Sequence, residues 1–205
     1  MKALLIDVFV LSESLTAYSQ TQPWVGVTPG MRAQANTLFQ ASDWTNAAAA
    51  YQKIVDLEPK NPNANYRLGL SLLNLNKNTE AQKHLDISFT NSPNPIFALA
   101  LARAYARAHN KAKAFETIER STTMGGIAPE TLIAEKDFAE WRDDAQFKEL
   151  LRKSDIAVNP CKASPEFRQF DFWIGEWDVK NPQGVPSGSS SIQIILGQCI
   201  IFENW

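Results

Sequence analysis

The strongest constraint on this chain is a spacing that returns. Ala47, Tyr51, Ile54 and Pro59 come back about 34 residues later as Ala81, Leu85, Ser88 and Pro93. A third, looser copy is one residue shorter and reads Ala114, Ile118 and Ser121, with Met124-Gly125-Gly126 where the others close on proline. Such a period, carrying a small residue, a large apolar residue and a terminal proline, predicts stacked helical hairpins. The cause is packing. The small residue lets two antiparallel helices approach, the large one fills the space between neighbouring hairpins, and the proline ends the second helix.

Counting back from the second helices places first-helix core positions at Ala35 and Leu38, then Leu68, Gly69 and Leu72, then Leu101, Ala102 and Tyr105. Helices are expected near 30–41, 44–57, 63–75, 78–90, 96–108 and 111–122. They are separated by Ser42-Asp43, Glu58 to Pro62, Asn76-Lys77-Asn78 and Asn91 to Pro95. Each break holds residues that cap a helix or restrict φ. Ala47 to Ala50 is helix-forming filler of small cross-section. Beyond Gly126, Leu132, Ile133, Phe138, Trp141, Phe147, Leu150 and Leu151 fall at helical spacing. This predicts two more helices, the second capped at Asp143-Asp144, that cover the open end of the stack. Phe138, Trp141 and Phe147 are expected in its core.

The middle copy, Tyr66-Arg67-Leu68-Gly69-Leu70-Ser71-Leu72, carries the Leu-Gly pair and following leucine that the tetratricopeptide repeat family places at its first-helix contact. Over about residues 28–128 the chain resembles that family. It departs at Met31, where the family prefers tryptophan, and at Ser42, where a turn glycine is common. The resemblance implies a superhelix whose first helices line a concave groove that holds a protein or peptide segment. Carried over by position, the groove takes Arg32, Asn36 and Phe39 from copy one, and Asn63, Tyr66, Leu70, Leu73 and Asn74 from copy two. Copy three supplies Leu99, Arg103 and Arg107. The arginines imply a partner of acidic character, since guanidinium pairs carboxylates bidentately. Arg103 and Arg107, one turn apart, can address one acidic segment together. Arg32 and Asn36 also resemble the first positions of the family subtype that clamps chaperone C-termini. Arg67, Ile96 and Ala100 do not continue that pattern, which argues against this ligand.

Composition narrows the classes further. In 205 residues, 44% hydrophobic and 20% charged, there is material for one or two globular domains. A net charge of −2 does not suggest nucleic-acid binding, which usually needs a basic field to neutralise phosphates. No apolar run reaches the ~18 residues of a membrane span. Cys161 and Cys199, the only cysteines, make no metal pattern and allow one disulfide that spacing alone does not decide. Residues 1–22 have the layout of a secretory signal, with Lys2, the apolar run Ala3–Leu11 and Ala17-Tyr18-Ser19 as a small-x-small site. Asp7 and Glu13 speak against it, so a plain leader stays open. The signal reading places the protein outside the cytoplasm, secreted or periplasmic; the leader reading leaves it in the cytoplasm.

From Asn159 prolines and a Gly/Ser cluster replace the alanine-rich helices. Residues 156–166 read as a linker. Trp177 to Val179, Ser189 to Ile195 and Ile200 to Phe202 read as strands. The run Phe170 to Val179, with Gly175-x-Trp177, resembles the opening of small bacterial β-barrel domains similar to lipocalins. There the glycine turns the chain into strand one and the tryptophan plugs a barrel end. Such a barrel needs about eight strands, so residues 167–205 are expected to be a fragment of one, with an unpaired edge. The expected fold is therefore mainly α: a helical solenoid with a helical cap, then a truncated antiparallel β segment.

Catalysis has little to stand on. His84 and His109 have no triad or ligand spacing and read as solvent-facing or capping residues near helix ends. There is no phosphate loop and no nucleophile elbow. Asp143-Asp144 and the Asp171/Glu176/Asp178 group lack a second partner in sequence. The reading is a non-catalytic interaction scaffold needing no cofactor and no metal. The alternative is a carrier of small apolar ligands working through the β segment.

Overall fold

In the computed structural model, which describes residues 26–196 and 199–205, six helices form three hairpins. They are α1 (Pro29–Gln40), α2 (Trp44–Leu57), α3 (Pro62–Asn74), α4 (Asn78–Asn91), α5 (Pro95–Arg107) and α6 (Lys111–Ser121). Each lies within a residue or so of its expected bounds, and the caps explain why. The side chains of Thr28, Asp43, Asn61, Asn94 and Asn110 each accept a hydrogen bond from the backbone N–H three residues on, at 3.2, 3.3, 2.9, 2.9 and 3.1 Å. Pro29, Pro62 and Pro95 occupy first helical positions, where a missing N–H costs nothing. Within each hairpin the turn passes through one left-handed residue: Ser42 at φ 57°, Asn76 at φ 58° and His109 at φ 55°. The repeat therefore reaches down to single backbone dihedrals.

The core follows the repeat. Ala35, Ala47, Leu68, Leu85, Leu101, Ala102, Ala114 and Ile118 are all essentially inaccessible. Leu38 is only partly covered. Gly69 on α3 meets α4 of the same hairpin so closely that an added Cβ would lie 2.5 Å from Leu85 Cγ and 3.3 Å from the Ala81 carbonyl oxygen.

After α6 the chain turns through Gly125 (φ 96°) and Gly126 (φ 73°). A Cβ on Gly126 would come within 2.9 Å of Ala157 Cβ, so glycine serves both conformation and clearance here. The expected first cap helix is in two pieces, α7 (Pro129–Ala134) and a 3₁₀ stretch, Lys136–Trp141. Glu135 between them is extended (φ −69°, ψ 122°), which breaks the ladder. The second piece of the cap is α8 (Ala145–Val158), capped by Asp144 as expected. Phe138, Trp141 and Phe147 are buried and pack with Phe115, ring centroids 5.2–6.1 Å apart. They close the open end of the stack.

The segment read as a linker holds the last turn of α8, a short helix α9 (Pro160–Ala163) and the 3₁₀ turn Pro165–Arg168. A second 3₁₀ turn, Asp171–Trp173, leads into three antiparallel strands in the order β1-β2-β3: β1 (Gly175–Lys180), β2 (Pro186–Ile195) and β3 (Ile200–Asn204). Gly175, at φ 145°, starts β1 as the motif implies. Trp177 is 44% exposed and its indole N–H donates to the Trp173 carbonyl at 2.8 Å. The described residues give this three-stranded sheet, the antiparallel β segment expected at this end of the chain. A disulfide joins Cys161 on α9 to Cys199 before β3, with Cα atoms 5.0 Å apart. The proposed leader, residues 1–22, lies outside the described residues.

His84 departs from its sequence reading. It sits inside α4, half buried, with Nδ1 2.9 Å from Asn65 Oδ1. Asn65 is fully buried and donates to the carbonyls of Pro59 and Asn61, both at 2.9 Å, so its oxygen faces the ring and Nδ1 carries the proton. Burial, aided by Lys83, lowers the His84 pKa below its ordinary 6.5. The fold therefore favours neutral imidazole. Its contribution is complete above about pH 6.5 and is lost as pH falls through the lowered value. Thermal melts between pH 7.5 and 5 should show His84→Gln losing less stability than wild type on acidification; parallel losses would remove His84 as the cause.

Candidate peptide-binding groove

The face built by the first helices α1, α3 and α5 carries most of the residues singled out in sequence, in two separate groups. At the α1–α3 end, Arg32, Asn36, Tyr51, Asn61, Asn63 and Arg67 line a recess of about 190 Å³. Arg32 is fixed by a two-pronged pair with Glu58, at 2.9 and 3.1 Å. Asn36 Oδ1 accepts from the Tyr51 hydroxyl at 2.6 Å. Arg67 lies flat over Phe39, its Cζ 4.7 Å from the ring centroid. Among the described residues no carboxylate pairs with Arg67. Burial raises the pKa of Tyr51 and of Tyr66, while the Arg67 charge pulls both down. Both phenols remain protonated donors at neutral pH. The Tyr51 proton is already given to Asn36, so the recess offers a ligand the Arg67 guanidinium and the carboxamides of Asn36 and Asn63, which is chemistry for an anionic, hydrogen-bonding group.

At the α5 end the arginines are already paired. Arg103 Nε lies 2.9 Å from Asp137 Oδ2 and 3.0 Å from Glu135 Oε2. Arg107 Nε donates to Asp137 Oδ1 at 2.8 Å, and its Nη1 donates to the Leu73 carbonyl at 2.6 Å. That carbonyl belongs to the last turn of α3 and also accepts from the Asn76 backbone N–H at 3.0 Å, so Arg107 adds a second, charged donor to it. One side chain thus ties α3, α5 and the cap together. The acidic segment expected from a partner comes here from the chain itself.

The remaining residues divide accordingly. Tyr66 packs on Phe97, centroids 4.7 Å apart. Leu70 and Leu99 are partly covered. Leu73 is 1% exposed, so its side chain belongs to the core and cannot meet a ligand. Asn74 donates to the Leu70 carbonyl of its own helix at 2.9 Å. Sequence reasoning passed over Tyr51 as packing and Arg67 as a mismatch. The signal for Arg67 was its place one helical turn after Asn63, on the same face of α3.

Among the described residues no cluster of three or more His, Cys, Asp or Glu could hold a metal, and no helix is long and apolar enough to cross a membrane.

Comparison with curated proteins returns no match. Among solved structures the chain is similar to the TPR2B-domain:pHsp70-complex of yeast Sti1, at 21% identity and a TM-score of 0.45, covering 61% of this chain and 93% of that one. The tetratricopeptide repeat family model matches residues 32–85 and 66–125. The hairpins, their left-handed turns and the glycine contact between α3 and α4 agree with that match: residues 32–125 fold as helical hairpins of the tetratricopeptide type.

Proposed function

We propose that the protein is a non-catalytic scaffold that holds an acidic protein segment against the α1–α3 part of its first-helix face. The observation that carries this reading is Arg67, stacked on Phe39, without a carboxylate partner among the described residues, and lining the recess with Asn36, Tyr51 and Asn63. The Cys161–Cys199 disulfide supports an oxidising compartment, in keeping with the signal-like layout of residues 1–22. A peptide array is the direct test. Wild type should retain Asp/Glu-rich peptides over basic ones, less so as salt rises. Arg67→Glu should lose that retention while its melt falls by only about 1 kcal/mol, the loss of the contact with Phe39. Equal retention of acidic and basic peptides, or a folded Arg67→Glu that still selects acidic ones, would overturn the reading.

A further inference from the structure

A second concave site lies away from the repeats, between the 3₁₀ turns 165–173 and β3. It is a cavity of about 500 Å³ whose walls include Phe167, Phe170, Trp173 and Ile201 together with Glu166 and Glu203. This volume suits a small organic molecule. The aromatic side chains keep 53%, 57% and 42% of their surface exposed, which is costly unless something covers them. They are also held in place. Phe167 N–H donates to the Ser164 carbonyl at 3.1 Å, Trp173 N–H to the Phe170 carbonyl at 3.0 Å, and the Trp173 carbonyl takes the Trp177 indole. The disulfide at Cys199 ties the β3 side to α9.

The charges decide what could cover these rings. Nearby cations are already matched, Arg168 by Asp171 and Lys162 by Asp155. Glu166 and Glu203 have no cationic partner among the described residues. Ser190, fully buried, donates its hydroxyl to Glu203 Oε1 at 2.8 Å, and among the described residues Oε2 has no hydrogen bond. Ser164 donates to Glu166, and with the Glu166 backbone N–H holds that carboxyl below its ordinary value, so it is charged at neutral pH. Exposed aromatic rings with two anchored carboxylates among the same lining residues favour an apolar cation over a neutral or anionic molecule.

We propose that this cavity binds a small alkylated ammonium compound, its methyl groups against Phe167, Phe170 and Trp173 and its charge answered by Glu166 and Glu203. The test uses the full oxidised chain and choline as probe, with 3,3-dimethylbutanol as its neutral isostere, followed by calorimetry and by indole N–H shifts. Choline should bind saturably in the millimolar range or tighter, and the isostere about tenfold or more weaker. Glu203→Gln, which keeps an acceptor for Ser190, should weaken choline and leave the melt unchanged; Glu166→Gln and Trp173→Leu should weaken it as well. Absence of saturable choline binding overturns the proposal. Equal binding of choline and its isostere also overturns it, because the cavity would then be merely apolar.

Discussion

Gly69→Leu is expected to cost about 3 kcal/mol or more, which lowers Tm by about 6–12 °C for a chain of this size. The added Cβ alone lands 2.5 Å from Leu85 Cγ and 2.7 Å from Cδ2. Leu85 is completely buried, so it cannot swing into solvent, and the Ala81 carbonyl oxygen at 3.3 Å belongs to a helix backbone. Relief requires α3 and α4 to separate. Gly69→Ala poses a finer contest. Alanine gains about 1 kcal/mol in helix propensity, against about 1–3 kcal/mol for overpacking. The 2.5 Å approach puts the overpacking at the upper end, so a net loss is expected. Gly30→Ala is the control, since nothing but Thr28 Oγ1 comes as near as 3.8 Å. A Gly69→Leu melt indistinguishable from wild type would refute the hairpin contact.

The second large effect is expected from reversing both α5 arginines. In sequence, Arg103 and Arg107 look like two surface charges waiting for a partner, and their reversal should then spare the fold. The structure inverts that expectation. Reversal places two new carboxylates against Glu135 and Asp137, whose side chains are only 17% and 13% exposed, and removes the charged donor that joins Arg107 to the Leu73 carbonyl. Breaking a buried pair from one side costs about 3–5 kcal/mol; with the arginines still about a quarter exposed, roughly 3 kcal/mol is expected for Arg103→Glu/Arg107→Glu. Arg32→Glu, facing the more exposed Glu58, should cost only about 1 kcal/mol. Pairing Arg107→Asp with Asp137→Arg should recover part of the loss, which separates charge complementarity from simple truncation. If the double reversal melts like wild type, the cap is not held through this cluster.

These two sites mark where sequence was informative and where it was not. Gly69 is legible because its neighbours Ala81 and Leu85 recur at the family period, and a periodic packing rule carries three-dimensional information along the chain. The same holds for the helix starts, where Asn61, Asn94 and Asn110 announce themselves by local cap chemistry. Asp137 is different. It meets Arg103 and Arg107 across 34 and 30 residues, through a helix interrupted at Glu135, and no local rule joins them. The expected groove residues accordingly differ in availability. Arg32, Asn36 and Asn63 share one recess, Leu73 is inside, and the two α5 arginines are spoken for. The β segment shows the same limit. Alternation of Ile192 and Ile194 located β2, yet a three-residue motif at Gly175 and Trp177 is too short to carry a whole architecture.

The disulfide gives the C-terminal part an unusual response to cleavage. Cys161 and Cys199 close a covalent ring of sequence separation 38 that contains the whole of β1 and β2. The turn between those strands, residues 181–185, is exposed along its entire length and is the natural place for a protease to cut. A single nick there opens the ring without releasing either piece. On a non-reducing gel the protein would run uncut, and with thiol it would divide in two. The sheet can thus pass from one chain to two while keeping its strands in register, and only a reducing environment would reveal that it had.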